Sequence, residues 1–150
     1  MPQSLVQNYV HICFSTKGRL PLIQDSIQEE LFAYLGGVCK NLESQPIIVG
    51  GTNDHVHLLV KLSRKMALMD LVEKVKTHSS KWIKSKDPKF SNFYWQHGYG
   101  GFSVNPRQVD RVVTYIKNQR EHHRKVSFQE EYRRVLRKYK MNFDERFLWD

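Results

Sequence analysis

Two histidines one residue apart, His55 and His57, carry the strongest chemical signal in the sequence. They open the run His55-Val56-His57-Leu58-Leu59-Val60-Lys61, which follows the turn residues Gly50-Gly51-Thr52-Asn53-Asp54. A turn feeding aliphatic and β-branched residues reads as a strand. Side chains alternate along a strand, so both imidazoles point to one face, while Val56, Leu58, Val60 and Leu62 form an apolar back. Such a pair suits a divalent metal, but two ligands rarely suffice. Gln119 is a candidate third ligand, because its carbonyl is a hard oxygen donor. A His55–His57–Gln119 set suits Mg2+ or Mn2+ acting on phosphate better than structural zinc. Tyr115 lies four residues before Gln119, one turn away on a helix. A free phenol has a pKa of about 10, and a nearby divalent cation favours the phenolate and neutralises the phosphate it attacks. Attack on a phosphodiester leaves a phosphotyrosine ester and a free hydroxyl, and the ester retains enough bond energy for rejoining without ATP. Spacing alone is weak evidence: most His-x-His pairs are packing or surface features, and a tyrosine so placed is more often an ordinary amphipathic residue.

The elements that must hold these groups follow from hydrophobic periodicity. Val6 to Ser15 reads as a strand, with Val10, Ile12 and Phe14 on one face and Tyr9, His11 and Cys13 on the other. His11 can support the metal pair from a neighbouring strand, although a lone strand histidine is more often simply packed and hydrogen-bonded. Ser26 with Glu29 matches a capping box opening a helix with Ile27, Leu31, Leu35, Val38 and Leu42 at helical spacing. Pro46 to Val49 is a short strand. Met66 to about Lys86 is a second helix, with Leu68, Leu71, Val72, Val75, Ser79, Trp82 and Ile83 tracing its buried stripe. The aromatic and glycine-rich segment from Phe93 to Val104 holds a strand from about Tyr99. Its aromatics can stack on unpaired bases or fill the core. Pro106 sits in the first turn of a third helix bearing Val109, Val112, Val113 and Ile116, with Tyr115, Gln119, His122 and His123 on an adjacent polar stripe. Ser127 and Glu130 cap a last helix with Phe128, Tyr132, Val135, Leu136 and Tyr139 facing inward. This order predicts an α+β chain, a ferredoxin-like βαββαβ antiparallel four-stranded sheet with helices on one face and additional C-terminal helices.

The 150 residues fit one domain spanning 1–150, and 40% hydrophobic content suits a globular chain rather than a disordered one. The net charge of +9 favours a polyanionic partner. Lys17 and Arg19 form a basic turn, and Lys74, Lys76, Lys81 and Lys84 mark the second helix as a candidate DNA-contacting face, though a charge run is usually only a solvated surface. Cys13 and Cys39 read as small buried hydrophobes of a reducing compartment. The N-terminus has no signal-peptide pattern and no stretch approaches membrane-spanning length, so a cytoplasmic location is expected.

Several linked segments carry a resemblance over nearly the whole chain: Tyr9-Val10-His11 with Ser15-Thr16-Lys17 and Arg19; Asp54 to Val60; Trp95-Gln96 with Gly98-Tyr99; Phe102-Ser103-Val104; and Tyr115-Ile116-Lys117-Asn118-Gln119 with Glu121-His122-His123. The chain resembles the HUH-type, single-tyrosine transposases of bacterial insertion sequences, including relatives acting on repeated palindromes. The resemblance implies metal ligation by His55, His57 and Gln119, Tyr115 as nucleophile, and cleavage and rejoining of single-stranded DNA at hairpin-bearing element ends through a 5′-phosphotyrosine intermediate. It also implies a homodimer in which the tyrosine helix of one subunit can complete the other's site in trans. His122 and His123 match the family pattern with three open roles: orienting Gln119, contacting DNA or capping the helix. The rival readings are an HUH nicking endonuclease of replication or conjugation and a non-catalytic single-strand-binding module.

Overall fold

A computed structural model of the chain describes residues 2–123 and 126–150. Four strands form one antiparallel sheet: β1 (Tyr9–Ser15), β2 (Gln45–Gly51), β3 (His55–Lys61) and β4 (Gly100–Val104), in the order β2-β3-β1-β4. The two central strands pair along their whole length, with Val10 opposite Val60, Ile12 opposite Leu58 and Cys13 opposite His57. Helices α1 (Asp25–Asn41) and α2 (Leu68–Lys86) connect β1 to β2 and β3 to β4. This is the expected ferredoxin-like arrangement of an α+β chain. No helix among the described residues is long and apolar enough to cross a membrane.

Alternation along β1 and β3 divides the sheet chemically. Val10, Ile12, Phe14, Val56, Leu58 and Val60 point into a core with Leu31, Leu35 and Val38 of α1 and Leu71, Val75 and Ile83 of α2. Trp95 belongs to this core, with its ring edge-on to Phe14 and Phe93 at 4.8 Å and its indole N–H donating to Ser79 Oγ. Trp95 and Phe102 are therefore core residues, not exposed stacking platforms.

The opposite face carries His11, Cys13, His55, His57 and Phe102, and it too is covered. Three further helices, α3 (Val109–Lys117), α4 (Gln119–His122) and α5 (Phe128–Lys138), follow β4. Phe128, Tyr132 and Leu136, spaced four apart on α5, pack with Cys13 and Phe102. Helices thus lie on both faces of the sheet, rather than on the one face expected for a bare βαββαβ unit. The C-terminal segment 143–150 crosses back over this layer. Its Trp149 ring lies 5.6 Å from Tyr132 and 6.1 Å from Phe128, and the Asp150 carbonyl accepts from His97 and Gly98 N–H.

Some boundaries differ from the periodicity. β1 begins at Tyr9 because its partners end there, at Lys61 and Val104, leaving Leu5 and Val6 exposed. The N-cap of α1 is Gln24, two residues before Ser26 and without a side-chain cap, so the Ser26–Glu29 box does not form. The Ser127 cap does form, its Oγ accepting from Glu130 N–H. The third helix is broken into a 3-10 turn at Pro106–Gln108, α3 and α4, the interruption falling at Asn118 (φ −101°, ψ 22°).

Candidate active site

The start of β3 presents His55 and His57 to the face covered by α3, α4 and α5, where both are buried. Each imidazole is anchored through Nδ1. His55 Nδ1 lies 2.7 Å from Asp54 Oδ1 and 3.0 Å from Thr52 Oγ1. Although burial pushes the Asp54 carboxyl up, its hydrogen bond to His55 holds it below the usual carboxylate range. An ionised carboxylate only accepts, so His55 Nδ1 donates to it and Nε2 is turned inward. His57 Nδ1 shares a 2.8 Å hydrogen bond with His11 Nε2 from the next strand, while its buried Nε2 has no hydrogen-bond partner. His11 is therefore a direct neighbour of the pair.

Gln119 reaches this pair from α4, the side chain buried and its Oε1 3.1 Å from His55 Nε2 and 2.9 Å from His123 Nε2. Its amide nitrogen donates to the Tyr115 carbonyl at 3.2 Å, which fixes the oxygen toward the imidazoles. The half-buried Tyr115 ring stands 5.5 Å from the ring of His57 and 6.0 Å from that of His11, centroid to centroid. A cleft of about 500 Å³ beside Tyr115 is lined in part by Arg111, Lys138 and Tyr139. A second, of about 450 Å³, opens beside His55 and is lined by Arg19, Arg120, Asp54 and His123 among others. Phe128 lies flat on His55, the rings 4.0 Å apart at 12°.

The donor set fits a divalent cation. A buried imidazole nitrogen without a partner costs free energy. A cation bound among His55, His57 and Gln119 removes that penalty at His57 Nε2. Ligation also needs neutral imidazoles. Burial, with His11, His55 and His123 nearby, holds His57 well below its usual value, and burial holds His11 at about 4.

These shifts predict a pH dependence for the metal-free protein. Groups whose folded pKa is depressed, His11 and His123 both from 6.5 to about 4, contribute stability that is present above pH 6.5 and lost as pH falls through about 4. Glu131, raised by burial to about 7, acts in the opposite sense between pH 4.5 and about 7. The histidines outnumber it, so the melting temperature is expected to fall steadily from pH 6.5 to 4. A melting temperature flat across that range in thermal scans would contradict this.

The helix bearing Tyr115 is held close to the sheet by a glycine. A Cβ at Gly50 of β2 would lie 2.8 Å from the Ile116 carbonyl and 2.9 Å from its side chain. Gly50→Ala must therefore push α3 outward. A cost of about 1–3 kcal/mol in stability is expected, read as a lower melting temperature in thermal scans.

The lysines of α2 do not gather around this centre. α2 packs on the other face of the sheet, so its lysines are separated from the histidines by the sheet itself. Lys74 and Lys81 are exposed there. Lys76 is engaged internally, donating to the carbonyls of Gln96, His97 and Gly98 at 2.7, 3.2 and 2.6 Å, and burial lowers its pKa to about 8. The Lys84 ammonium sits 3.9 Å over the Tyr94 ring. Arg19 lies over Trp149 at 5.2 Å, at the rim of the His55 cleft, and Lys17 is exposed in the same turn.

Residues 4–119, from before β1 through Gln119, match the sequence model of the family described as "Transposase IS200 like". The chain belongs to the IS200-like transposase family. The transposase fold is shared with solved structures. A proposed transposase from Deinococcus radiodurans R1 is 21% identical with a TM-score of 0.61, the match covering 79% of this chain and 98% of that one. A REP-associated tyrosine transposase bound to a REP hairpin is 13% identical with a TM-score of 0.61, over 82% of this chain and 73% of that one. No curated protein sequence matches the chain. Within this transposase, the sequence reading left Thr52 and Asp54 without a role and His123 without a single one. Only the four-residue step from Gln119 to His123 signalled that His123 turns inward.

Proposed function

We propose that this transposase cleaves and rejoins single-stranded DNA at hairpin-bearing ends, with Tyr115 as the nucleophile and a divalent cation, Mg2+ or Mn2+, held by His55, His57 and Gln119. The observation that carries this reading is the partnerless His57 Nε2, buried beside Gln119 Oε1 and His55 Nε2 with the Tyr115 ring 5.5 Å away. The cation supplies charge neutralisation at the phosphate and favours the phenolate. The Tyr115 oxygen forms a bond to phosphorus as the bond to the 3′ oxygen breaks. The phenol proton passes to solvent, and the departing oxygen takes up a proton to become a 3′ hydroxyl. The 5′ phosphate stays on Tyr115 as an ester, which a 3′ hydroxyl can attack in the reverse sense. Asp54 and His11 hold the two imidazoles in orientation from behind, and Phe128 keeps water from one face of His55.

Substrate choice rests on the REP hairpin held by the structural neighbour and on the +9 charge. Within one chain Gln119 and the Tyr115 ring lie beside the histidines, which supports a site completed in cis within the homodimer that the family resemblance implies. The test is incubation with a labelled single-stranded hairpin oligonucleotide and Mn2+. A protein–DNA adduct stable to denaturation is expected. Binding without any adduct would favour the non-catalytic module instead.

A further inference from the structure

His123 ends α4 one turn beyond Gln119, and its hydrogen-bond pattern is out of balance. Its Nδ1 lies 2.6 Å from the Val126 carbonyl, which can only accept, so Nδ1 carries the proton. The bare Nε2 of the neutral ring then faces two oxygens, Gln119 Oε1 at 2.9 Å and Glu131 Oε2 at 3.0 Å. The same Gln119 oxygen lies 3.1 Å from His55 Nε2, and its amide nitrogen donates to the Tyr115 carbonyl. The partnerless Nε2 of His57 is buried with them. One nitrogen from each of His55, His57 and His123 lies within 4.8 Å of the others. Behind His123, Glu131 is buried, its Oε2 also 2.8 Å from His122 Nε2. A buried nitrogen without a hydrogen-bond partner is unfavourable in an empty protein and favourable beside a cation.

We infer that His123 is a fourth protein ligand of the divalent cation, joining His55, His57 and Gln119, with the buried Glu131 behind it. The inference rests on the proposed function, since it presumes that the first three residues bind metal. It has a consequence for metal choice. Two imidazoles and an amide oxygen suit Mg2+ or Mn2+ about equally, whereas three imidazoles favour Mn2+ and the later first-row metals over Mg2+. Four protein donors in a six-coordinate shell still leave two positions for phosphate oxygens.

The experiment is Mn2+ binding to the full chain without DNA, read by calorimetry and by nitrogen couplings in pulsed EPR, for the wild type, His123→Phe and His57→Ala. Phenylalanine keeps the ring against Phe128 and removes the donor. The expected wild-type spectrum shows three imidazole nitrogens. His123→Phe is expected to show two and to bind Mn2+ at least about 10-fold more weakly. If His57→Ala loses Mn2+ while His123→Phe keeps the wild-type affinity and couplings, His123 is not a ligand and the function reading stands. If the wild type binds no Mn2+, both fall. The nitrogen count in the wild type needs no variant, so two nitrogens there would overturn the inference even if His123→Phe failed to fold.

Discussion

Tyr115→Phe is expected to abolish the protein–DNA adduct and lower strand cleavage by four or more orders of magnitude, with hairpin binding essentially unchanged. A phenylalanine has no oxygen to form the ester, and removal of a nucleophile that acts together with its activating groups costs about 10⁴- to 10⁶-fold in comparable covalent mechanisms. The substitution is gentle on the fold. Tyr115 is half-buried, and its ring contacts are edge-on contacts with His11, His57 and His122 that phenylalanine can keep. The Gln119 amide is pinned by the Tyr115 backbone carbonyl, not by the phenol, so the candidate ligand set stays in place. A denaturing gel with labelled hairpin DNA reads the result directly. An adduct that persists in Tyr115→Phe would assign the nucleophile to another residue.

His57→Ala is expected to remove metal-dependent cleavage, by at least about 1000-fold, while Mn2+ affinity drops below detection. His57 has one hydrogen bond, to His11, and an Nε2 with none, so truncation removes an unpaired buried group as well as a candidate ligand. Destabilisation is therefore expected to stay within about 2–3 kcal/mol, less than the upper range for a large buried side chain cut to alanine. A variant that folds, binds hairpin DNA and cannot cut it separates a metal ligand from a core histidine. Joint loss of folding and DNA binding would mean that His57 serves packing alone. Added Mn2+ raises the melting temperature of a protein that binds it in the folded state, so the wild type should be stabilised and His57→Ala should not.

The strand that carries the histidines could be read directly, because a period of two with an apolar back leaves little freedom: Val56, Leu58 and Val60 had to be buried, and His55 and His57 then shared the other face. The sheet order followed from the alternation of strands and helices. What covers the histidine face was not legible, because α5 shows only that one of its faces is apolar, not which surface that face meets. The capping box at Ser26 failed for a similar reason: the buried Gln28 donates toward Ile23 and Asp25, and the helix caps at Gln24, two residues before Ser26. Lys76 illustrates the limit for charges. Its sequence neighbours place it on a solvated lysine stripe, yet three carbonyls of a loop twenty residues away claim the ammonium. The inward turn of His123 depends on how the chain passes Asn118 and on the Val126 carbonyl, neither of which has a periodicity to read.

The match to the family ends at Gln119, yet the rings that enclose His55 come after it: His123, Phe128 flat on the imidazole, and Trp149 against Phe128. The segment that holds His55, His57, Tyr115 and Gln119 is therefore not the segment that roofs them. Substitutions in the last thirty or so residues can change how dry the centre is while His55, His57, Tyr115 and Gln119 stay where they are.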